Sequence, residues 1–309
     1  MTDKTISYPY RFERTALAAA IRDRHSGLEA GSGSGQTVRI AGRVRTHREH
    51  GKIAFADLED PSGRVQLFAQ HAVLGDEAMQ VFLSLSIGDI VGAEGEVVMT
   101  RRGELSVKVT LVTVLAPCLR SMPEKWHGIS DVEVRYRQRY LDLIVNPESR
   151  RAVEARAAAN STIRRYMDER GFLEVETPLL QPIAGGAVAR PFATHHNALD
   201  IDLYLRIAPE LYLKRLLSGG LEKVDELNRR FRNEGFSTRH NPEFTMLECY
   251  DAFVDYGDTM TLVEGLVKEM ARAVNGTLSV EIAGEEFDLG APFKRLTMFE
   301  AIAEATGLE

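Results

Sequence analysis

Between residues 37 and 118 apolar and polar positions alternate in short runs. Val38-Arg39-Ile40 and Val65-Gln66-Leu67-Phe68 keep a period of two. Ile90-Val91, Gly95-Glu96-Val97-Val98-Met99 and Leu105-Ser106-Val107-Lys108-Val109 extend the strand-like texture. Alternation of this kind places successive side chains on opposite faces of a strand. His50-Gly51-Lys52, Asp60-Pro61-Ser62-Gly63 and Arg102-Gly103-Glu104 supply the turns. Several short strands with one helical insertion near residues 76–85 predict a small closed barrel. Ahead of it, TALAAAIRDRH reads as a short helix. Residues 26–36, with Gly31, Ser32, Gly33, Ser34 and Gly35, read as a flexible stretch.

After Pro123 the period changes. Residues 131–145, DVEVRYRQRYLDLIV, interleave charges with tyrosines. Residues 148–170 predict a helix with Val153, Ala157, Ile163 and Met167 on one face and Gly171 as its stop. Phe172 to Pro178 reads as a strand closed by proline. A second long helix is predicted over 258–274, where Val263, Leu266, Val267, Met270, Ala271 and Val274 recur at helical spacing and Asp258 caps the start. Residues 278–289 read as a hairpin turning at Ala283-Gly284-Glu285. Thr297 and Glu300 form a capping box for a last short helix that stops at Gly307. The organisation is thus an extension and linker (1–36), a barrel (37–120), an interdomain segment (121–150) and an α+β region (151–309).

Composition narrows the class. A chain of 309 residues holds about two domains, each able to bury a core. Lys+Arg 38 against Asp+Glu 45 gives a net charge of −7, which argues against a non-specific nucleic-acid coat but not against a specific RNA enzyme. No apolar run approaches the ~18 residues of a membrane span, so no membrane partner is expected. Met1 to Tyr10 lacks the apolar core of a signal peptide, and a cytoplasmic location is expected. Cys118 and Cys249 cannot build a disulfide scaffold or a zinc site by themselves.

Chemistry concentrates in residues 226–250, ELNRRFRNEGFSTRHNPEFTMLECY. Arg229, Arg230, Arg232, Arg239 and His240 surround Glu234 and Glu243. A solvated charged hairpin accounts for such a run. A phosphate site accounts for it too, because arginine grips phosphate oxygens bidentately. A nearby carboxylate can hold an adenine amino group.

Arg232-Asn233-Glu234-Gly235 followed by Arg239-His240-Asn241-Pro242-Glu243-Phe244-Thr245 resembles motif 2 of the class II aminoacyl-tRNA synthetases, the lysine-specific enzymes in particular. Gly171 to Pro178 resembles motif 1 of the same class, the dimer-building element. Gly185-Gly186-Ala187, Arg190-Pro191-Phe192, Thr194-His195-His196-Asn197 and Leu205 to Leu211 resemble the substrate region of the lysine-specific branch. In the barrel, Gly51-Lys52, Gly63 to Leu67 and Gly103-Glu104-Leu105-Ser106 are similar too, and Arg135 to Leu143 resembles the interdomain segment. Long motifs in order are far more specific than a lone glycine loop.

The resemblance implies an α+β multidomain chain: an N-terminal OB-fold β-barrel, which reads an anticodon, then an incomplete class II antiparallel-sheet catalytic domain. It implies lysine, ATP with Mg²⁺, and tRNA(Lys) as ligands, a homodimer, and a ligase that makes lysyl-adenylate and passes lysine to tRNA. Arg232 is implied as the catalytic arginine bridging the lysine carboxylate and the α-phosphate. Asn233, Glu234, His240, Asn241 and Phe244 are implied ATP contacts, Glu234 on the adenine amino group and Phe244 stacked on the ring. Gly186, Glu210, Arg232, Glu248 and Tyr250 are implied lysine contacts, with Glu210 at the α-amino end and Glu248 and Tyr250 at the ε-ammonium. A buried glutamate makes sense there only with a cationic ligand. Arg48, Phe55, Gln66 and Glu104 are implied anticodon contacts, by stacking and edge hydrogen bonds. Without the resemblance, Phe55 and Phe244 read as core.

The chain departs from the family in three ways. Motif 3 and the family's acidic Mg²⁺ ligands do not occur before Glu309, so no metal ligand is assigned in this chain. That predicts an inactive or very weak enzyme alone, an open sheet edge and an exposed apolar face. Asp225 stands where the family has an aromatic, which predicts disturbed packing. The family's N-terminal basic helix is missing, which predicts lower auxiliary tRNA affinity. Two other readings compete with a ligase: a paralogue or fragment that binds tRNA or lysine without turnover, and an enzyme that loads lysine on another acceptor.

Overall fold

A computed structural model describes residues 8–120, 122, 128–237 and 239–307, in two compact units, 1–145 and 146–309. Met1 to Ser7 and Pro123, both used in the sequence reading, lie outside the described residues.

The first unit is built on a five-stranded closed barrel. Its strands are β1 (Gly33–His50), β2 (Ile53–Asp60), β3 (Gly63–Gln70), β4 (Ile90–Met99) and β5 (Leu105–Ala116), in the order β1-β2-β3-β5-β4. Neighbours are antiparallel except β3 and β5, whose parallel pairing closes the ring. The period of two decides what lies inside: Val38, Ile40, Ala54, Ala56, Leu58, Val65, Leu67, Val107 and Val109 are buried together. Helix α1 (Ala18–His25) adds Ile21 to that core, and α2 (His71–Leu83) adds Met79 and Phe82. Strands β4 and β5 approach so closely at Gly95 that a Cβ there would sit 2.1 Å from the Lys108 carbonyl oxygen.

The glycine-serine run is not a free linker. β1 begins at Gly33, which pairs with Val98, and the register shifts before Thr37 pairs with Glu96. The Glu96 carboxylate accepts from Gly35 N at 3.0 Å across that irregularity. Low strand propensity is overridden by pairing with β4. Two short helices end the unit, α3 (Val132–Arg137) and α4 (Arg139–Val145). Asp142 is fully buried between them and accepts from Arg135 Nε at 2.8 Å and Arg139 Nη1 at 2.6 Å.

The second unit starts with α5 (Pro147–Asp168), β6 (Leu173–Glu174), β7 (Leu180–Gln181), β8 (Ala193–His196), β9 (Ile201–Leu205) and α6 (Glu210–Ser218). It continues with β10 (Lys223–Phe231), β11 (Glu243–Asp251), α7 (Tyr256–Asn275), β12 (Ser279–Ile282), β13 (Glu285–Asp288) and α8 (Met298–Thr306). The main sheet has the order β11-β10-β6, β7-β9-β8 forms a second sheet, and β12-β13 is a hairpin. Helices α5 and α7 cover the back of the main sheet through Tyr166, Met167 and Leu266, joined by Phe172 from the segment after α5, with Leu247 and Cys249 of β11 packed against them. Tyr166 Oη donates to the Leu262 carbonyl at 3.1 Å, and Gly265 makes room: a Cβ there would lie 2.1 Å from Tyr166 Oη.

Several local expectations are corrected. Asp255 caps α7, and Asp258 is the third helical residue of its capping box. α5 buries Ser149, Thr162, Tyr166 and Met167, whereas Val153 and Ala157 are exposed. Its C-cap is Glu169, and Gly171 follows as a left-handed residue at φ +78°. Only Leu173 and Glu174 of the predicted 172–178 strand pair with a neighbour, in parallel with Val224 and Asp225. Among the described strands β11 pairs with β10 alone, and Met298, Phe299 and Ile302 of α8 are exposed.

Candidate functional site

Alternation along β10 sorts the charged cluster onto two faces. Val224, Glu226, Asn228 and Arg230 share one face, opposite Tyr250, Glu248, Met246 and Phe244 of β11 in register. Asp225, Leu227 and Arg229 take the other face with Cys249, Leu247 and Thr245, toward the α5–α7 layer.

The first face rests on a buried ionic network that sequence reasoning missed. Arg206 and Glu226 are almost wholly buried, and Arg206 Nη1 donates to Glu226 Oε1 at 2.6 Å. Thr177 ties in both: its hydroxyl donates to Glu226 Oε2 at 2.7 Å, and its Oγ1 accepts from Arg206 Nη1 at 2.9 Å. Arg206 Nε donates to the Arg229 carbonyl at 2.9 Å. Arg230, also fully buried, donates to the carbonyls of Asn228 and Glu226. Burial, then the neighbouring Arg206, pull its guanidinium down to about 10. The signal available in sequence was the Glu226-x-Asn228-x-Arg230 period.

Glu248 and Tyr250 lie above this floor. Tyr250 Oη donates to Glu248 Oε1 at 3.0 Å. Burial pushes the Glu248 carboxyl above the ordinary glutamate range, against the tyrosine hydrogen bond and the Arg230 charge, which lower it. The Tyr250 phenol is pushed up by burial and by the Glu248 carboxylate. Glu210 opens α6 and faces Gly186, whose φ is +87° and whose missing Cβ would stand 2.9 Å from Glu210 Cβ. Any side chain at Gly186 would displace Glu210. Lys214, one turn on, donates to Glu210 Oε1 at 2.6 Å, and its Nζ lies 6.0 Å from the Tyr250 ring centre.

Past β10, the Arg232 guanidinium stacks on the Phe244 ring at 5.2 Å, and its Nε is buried without a hydrogen-bond partner. Arg232 N donates to the Pro242 carbonyl, Asn233 N to the Arg190 carbonyl at 2.7 Å, and the Glu234 carboxylate accepts from Arg190 N at 3.4 Å. Phe244 is therefore a half-buried platform under an arginine and not a core residue. His240 and Asn241 are exposed in the loop beyond. The His240 ring contacts Ser237 Oγ at 3.0 Å. Among the described residues no group of three or more His, Cys, Asp or Glu side chains is placed to hold a metal ion.

On the first unit, Phe55 points outward, because Ala54 and Ala56 fill the barrel. It belongs to a rung across four strands, Arg48-Phe55-Phe68-Lys108. The two phenylalanine rings stack at 5.0 Å and 8°, and His50 meets Phe55 edge-on at 6.5 Å. The next rung is Thr46-Asp57-Gln66-Ser106. Asp57 accepts from Thr46 Oγ1 at 2.6 Å and lies 3.6 Å from Arg48. Arg48, Phe55 and Gln66 thus share one outer face, and Glu104 is exposed at the β4–β5 turn beside it. Aromatic and cationic groups in adjacent rungs suit the stacking and backbone contacts of single-stranded nucleic acid.

A model of the OB-fold nucleic acid binding domain matches residues 38–115, and one of class II tRNA synthetases (D, K and N) matches residues 131–309. The chain belongs to the class II tRNA synthetases. Relatives within the family include lysine–tRNA ligases of Moorella thermoacetica, 56% identical over 96% of this chain and 60% of the relative, and of Syntrophomonas wolfei, 54% identical over 97% and 60%. The lysine–tRNA ligase of Rhizobium meliloti is 50% identical over 98% of this chain and 60% of the relative. The chain therefore spans about three fifths of the length of these synthetases. No helix among the described residues is long and apolar enough to cross a membrane.

Proposed function

We propose that this chain carries the lysine- and ATP-binding half of a lysine–tRNA ligase together with its anticodon-reading barrel. The carrying observation is the pairing of Glu248 with Tyr250 beside Glu210 on one sheet face that also presents Arg232 on Phe244. An acidic, half-buried pocket is costly when empty and favourable around a diammonium ligand. In this reading Glu248 and Tyr250 take the ε-ammonium, Glu210 the α-amino group and Gly186 the space beside it. Arg232 neutralises charge as a lysine carboxylate oxygen attacks the α-phosphorus and pyrophosphate leaves. Asn233, Glu234, His240, Asn241 and Phe244 hold the nucleotide, and magnesium comes with it. A ribose hydroxyl of tRNA(Lys) then attacks the lysyl carbonyl and AMP leaves. The exposed Leu173, Leu180 and Ile183 support pairing of two copies through the segment after α5.

The test is lysine-dependent ATP–pyrophosphate exchange on the purified chain, with Arg232→Ala beside it. Exchange lost by 10²-fold or more in the variant is the expected signature of a working site. Equal exchange in both removes Arg232 from the chemistry. The Arg48-Phe55-Phe68-Lys108 rung favours a second reading, RNA or lysine binding without turnover. That reading predicts RNA binding sensitive to Phe55→Ala and no exchange.

A further inference from the structure

Arg230 is fully buried, yet among the described residues no carboxylate pairs with it. Its Nη1 donates to the Asn228 carbonyl at 2.8 Å, its Nη2 donates to the Glu226 carbonyl at 3.3 Å, and its Nε has no partner. A guanidinium turned onto main-chain oxygens keeps its whole positive charge. Glu226 does not balance it, because that carboxylate is already bonded to Arg206 at 2.6 Å and to Thr177 at 2.7 Å. The floor of the site thus holds two buried cations, Arg206 and Arg230, and one buried anion. An uncompensated buried charge is strongly unfavourable, so a further negative charge is expected within reach.

Glu248 supplies it. Glu248 stands directly opposite Glu226 in the β10–β11 register, on the face that also carries Arg230. Residues so paired lie about 4.5–5.5 Å apart. The Arg230 fork reaches back to the Glu226 carbonyl, so it ends beside the residue that Glu248 opposes. Among the described residues no basic side chain pairs with Glu248, whose carboxylate accepts from the Tyr250 hydroxyl. The groups facing it are Tyr250 on its own strand, Arg230 and Glu226 on β10, and Glu210 on α6. Lys214, also on α6, is bonded to Glu210, and Arg206 is bonded to Glu226. Arg230 is thus the one cation of this set that no carboxylate holds. Burial pushes the Glu248 carboxyl up, and Glu210 and Glu226 act the same way; the tyrosine bond and Arg230 oppose them.

We propose that Arg230 is the buried counter-charge of Glu248: it keeps that carboxylate ionised in a half-buried pocket without bonding to it, so that the carboxylate lone pairs stay open to a ligand ammonium. Arg230 is a positioning residue, which acts through Glu248 and touches no substrate. An arginine bonded directly to Glu248 would close the site to an ammonium; here two main-chain carbonyls hold the guanidinium off. The inference rests on the assignment of Glu248 to the ε-ammonium of lysine and adds the group that maintains its charge. One cation then has two opposed effects. Its removal lets Glu248 take up a proton at higher pH, and it also removes a repulsion toward the ligand ammonium.

The test is titration calorimetry of lysine between pH 5.5 and 8 on the intact chain and two variants. Arg230→Gln is neutral but can still donate to a carbonyl; Arg230→Lys keeps the charge and loses the fork. Arg230→Gln should move the acid decline of lysine affinity up by about one pH unit. Lysine should then bind about threefold to tenfold more weakly at pH 5.5, and equally or up to about threefold more tightly at pH 8. Arg230→Lys should keep the wild-type profile. A merely structural role would weaken lysine alike at every pH and in both variants; that result overturns the proposal, as does an unshifted decline in Arg230→Gln. A second readout needs no lysine. Arg230→Gln and Glu248→Gln each strand a charge, so the double variant should lose less thermal midpoint at pH 8 than the two single losses added together. Additive losses overturn the pairing. If wild type binds no lysine at any pH, the ammonium-site reading falls, and the thermal cycle still decides whether Arg230 and Glu248 are coupled.

Discussion

The Tyr250 hydroxyl donates to the Glu248 carboxylate across 3.0 Å, from the same face of β11. The bond restrains the glutamate and holds down a carboxyl that burial has pushed up. A carboxyl with a raised pKa loses its charge as pH falls, earlier than an ordinary glutamate does. Lysine affinity should therefore decline on acidification from a higher pH than free-glutamate chemistry predicts. Tyr250→Phe removes a hydrogen bond that favours the charged form, so the decline should move further up. Titration calorimetry of lysine between pH 5 and 8 reads both. An unshifted profile in Tyr250→Phe removes the coupling.

Glu248→Gln isolates the charge. It should weaken lysine about tenfold or more, the scale of a charge-assisted hydrogen bond, and leave ATP nearly untouched. Equal losses for the two ligands would take Glu248 out of the ammonium site.

Arg206 and Glu226 carry the pocket floor. Both are almost wholly out of water, with Thr177 bonded to each. Removing one partner strands the other charge, which costs about 3–5 kcal/mol in buried pairs. Glu226→Gln and Arg206→Met should each lower the urea midpoint of the second unit sharply. The double variant should cost much less than the sum, because it strands nothing. Additive losses would mean that the pair is not a unit.

Period-two patterns made the barrel legible: Val38 and Ile40, and Val65 and Leu67, are buried together as their alternation requires, whereas Phe55, which reads as core by itself, faces outward. Capping chemistry made α8 legible, with Thr297 and Glu300 bonded as the motif requires. The start of β1 was not legible, because glycines give no local strand signal and only β4 supplies the partner. The α5 face was misread at Val153 and Ala157, which stay exposed; the apolar packing against α7 comes from Ile163, Tyr166 and Met167. At the site, Arg232, Glu248 and Tyr250 were named through the family resemblance and not from the residue pattern itself. Arg206 and Thr177 stayed hidden: their shared partner Glu226 lies 20 and 49 residues away along the chain, and a buried arginine looks no different in sequence from an exposed one.

Asp225 is 1% exposed, and its Oδ2 has no hydrogen-bond partner. Burial, then Glu174, raise it to about 6, with Asp168 acting the same way and Arg164 opposing. The folded state therefore binds this proton more tightly than the unfolded chain does, where aspartate titrates near 3.9. The sign follows: stability from this group is complete below about pH 4 and is lost as pH rises through about 6. Asp225→Asn should raise the thermal midpoint at pH 8, and the gain should shrink to nothing near pH 4. A gain independent of pH would mean that shape, not charge, is at fault there.

Phe55 and Phe68 stack at 5.0 Å in register on the barrel's outer face. An alanine at a base-stacking aromatic costs about 1–3 kcal/mol of single-strand affinity. Phe55→Ala should lose that much for a uridine-rich RNA loop at fixed salt. Phe68→Ala should lose less, because it acts partly by supporting the Phe55 ring. Unchanged anisotropy in Phe55→Ala would move the RNA off this face.

Lys214 sits where a ligand ammonium is expected, 2.6 Å from Glu210 Oε1 and close to the Tyr250 ring. If Glu210 receives the α-amino group of lysine, the ligand must first displace this internal ammonium. The pair is a half-exposed i,i+4 contact, so its loss is worth only about 0.3–0.5 kcal/mol. Lys214→Met should tighten lysine about twofold for that reason. The effect should vanish with 6-aminohexanoate, which keeps the carboxylate and the ε-ammonium but has no α-amino group to compete. Calorimetry of both ligands on both proteins separates the cases. Equal tightening for the two ligands would mean that Lys214 acts by general charge. Weaker lysine binding in the variant would mean that Lys214 positions Glu210 and does not compete for it.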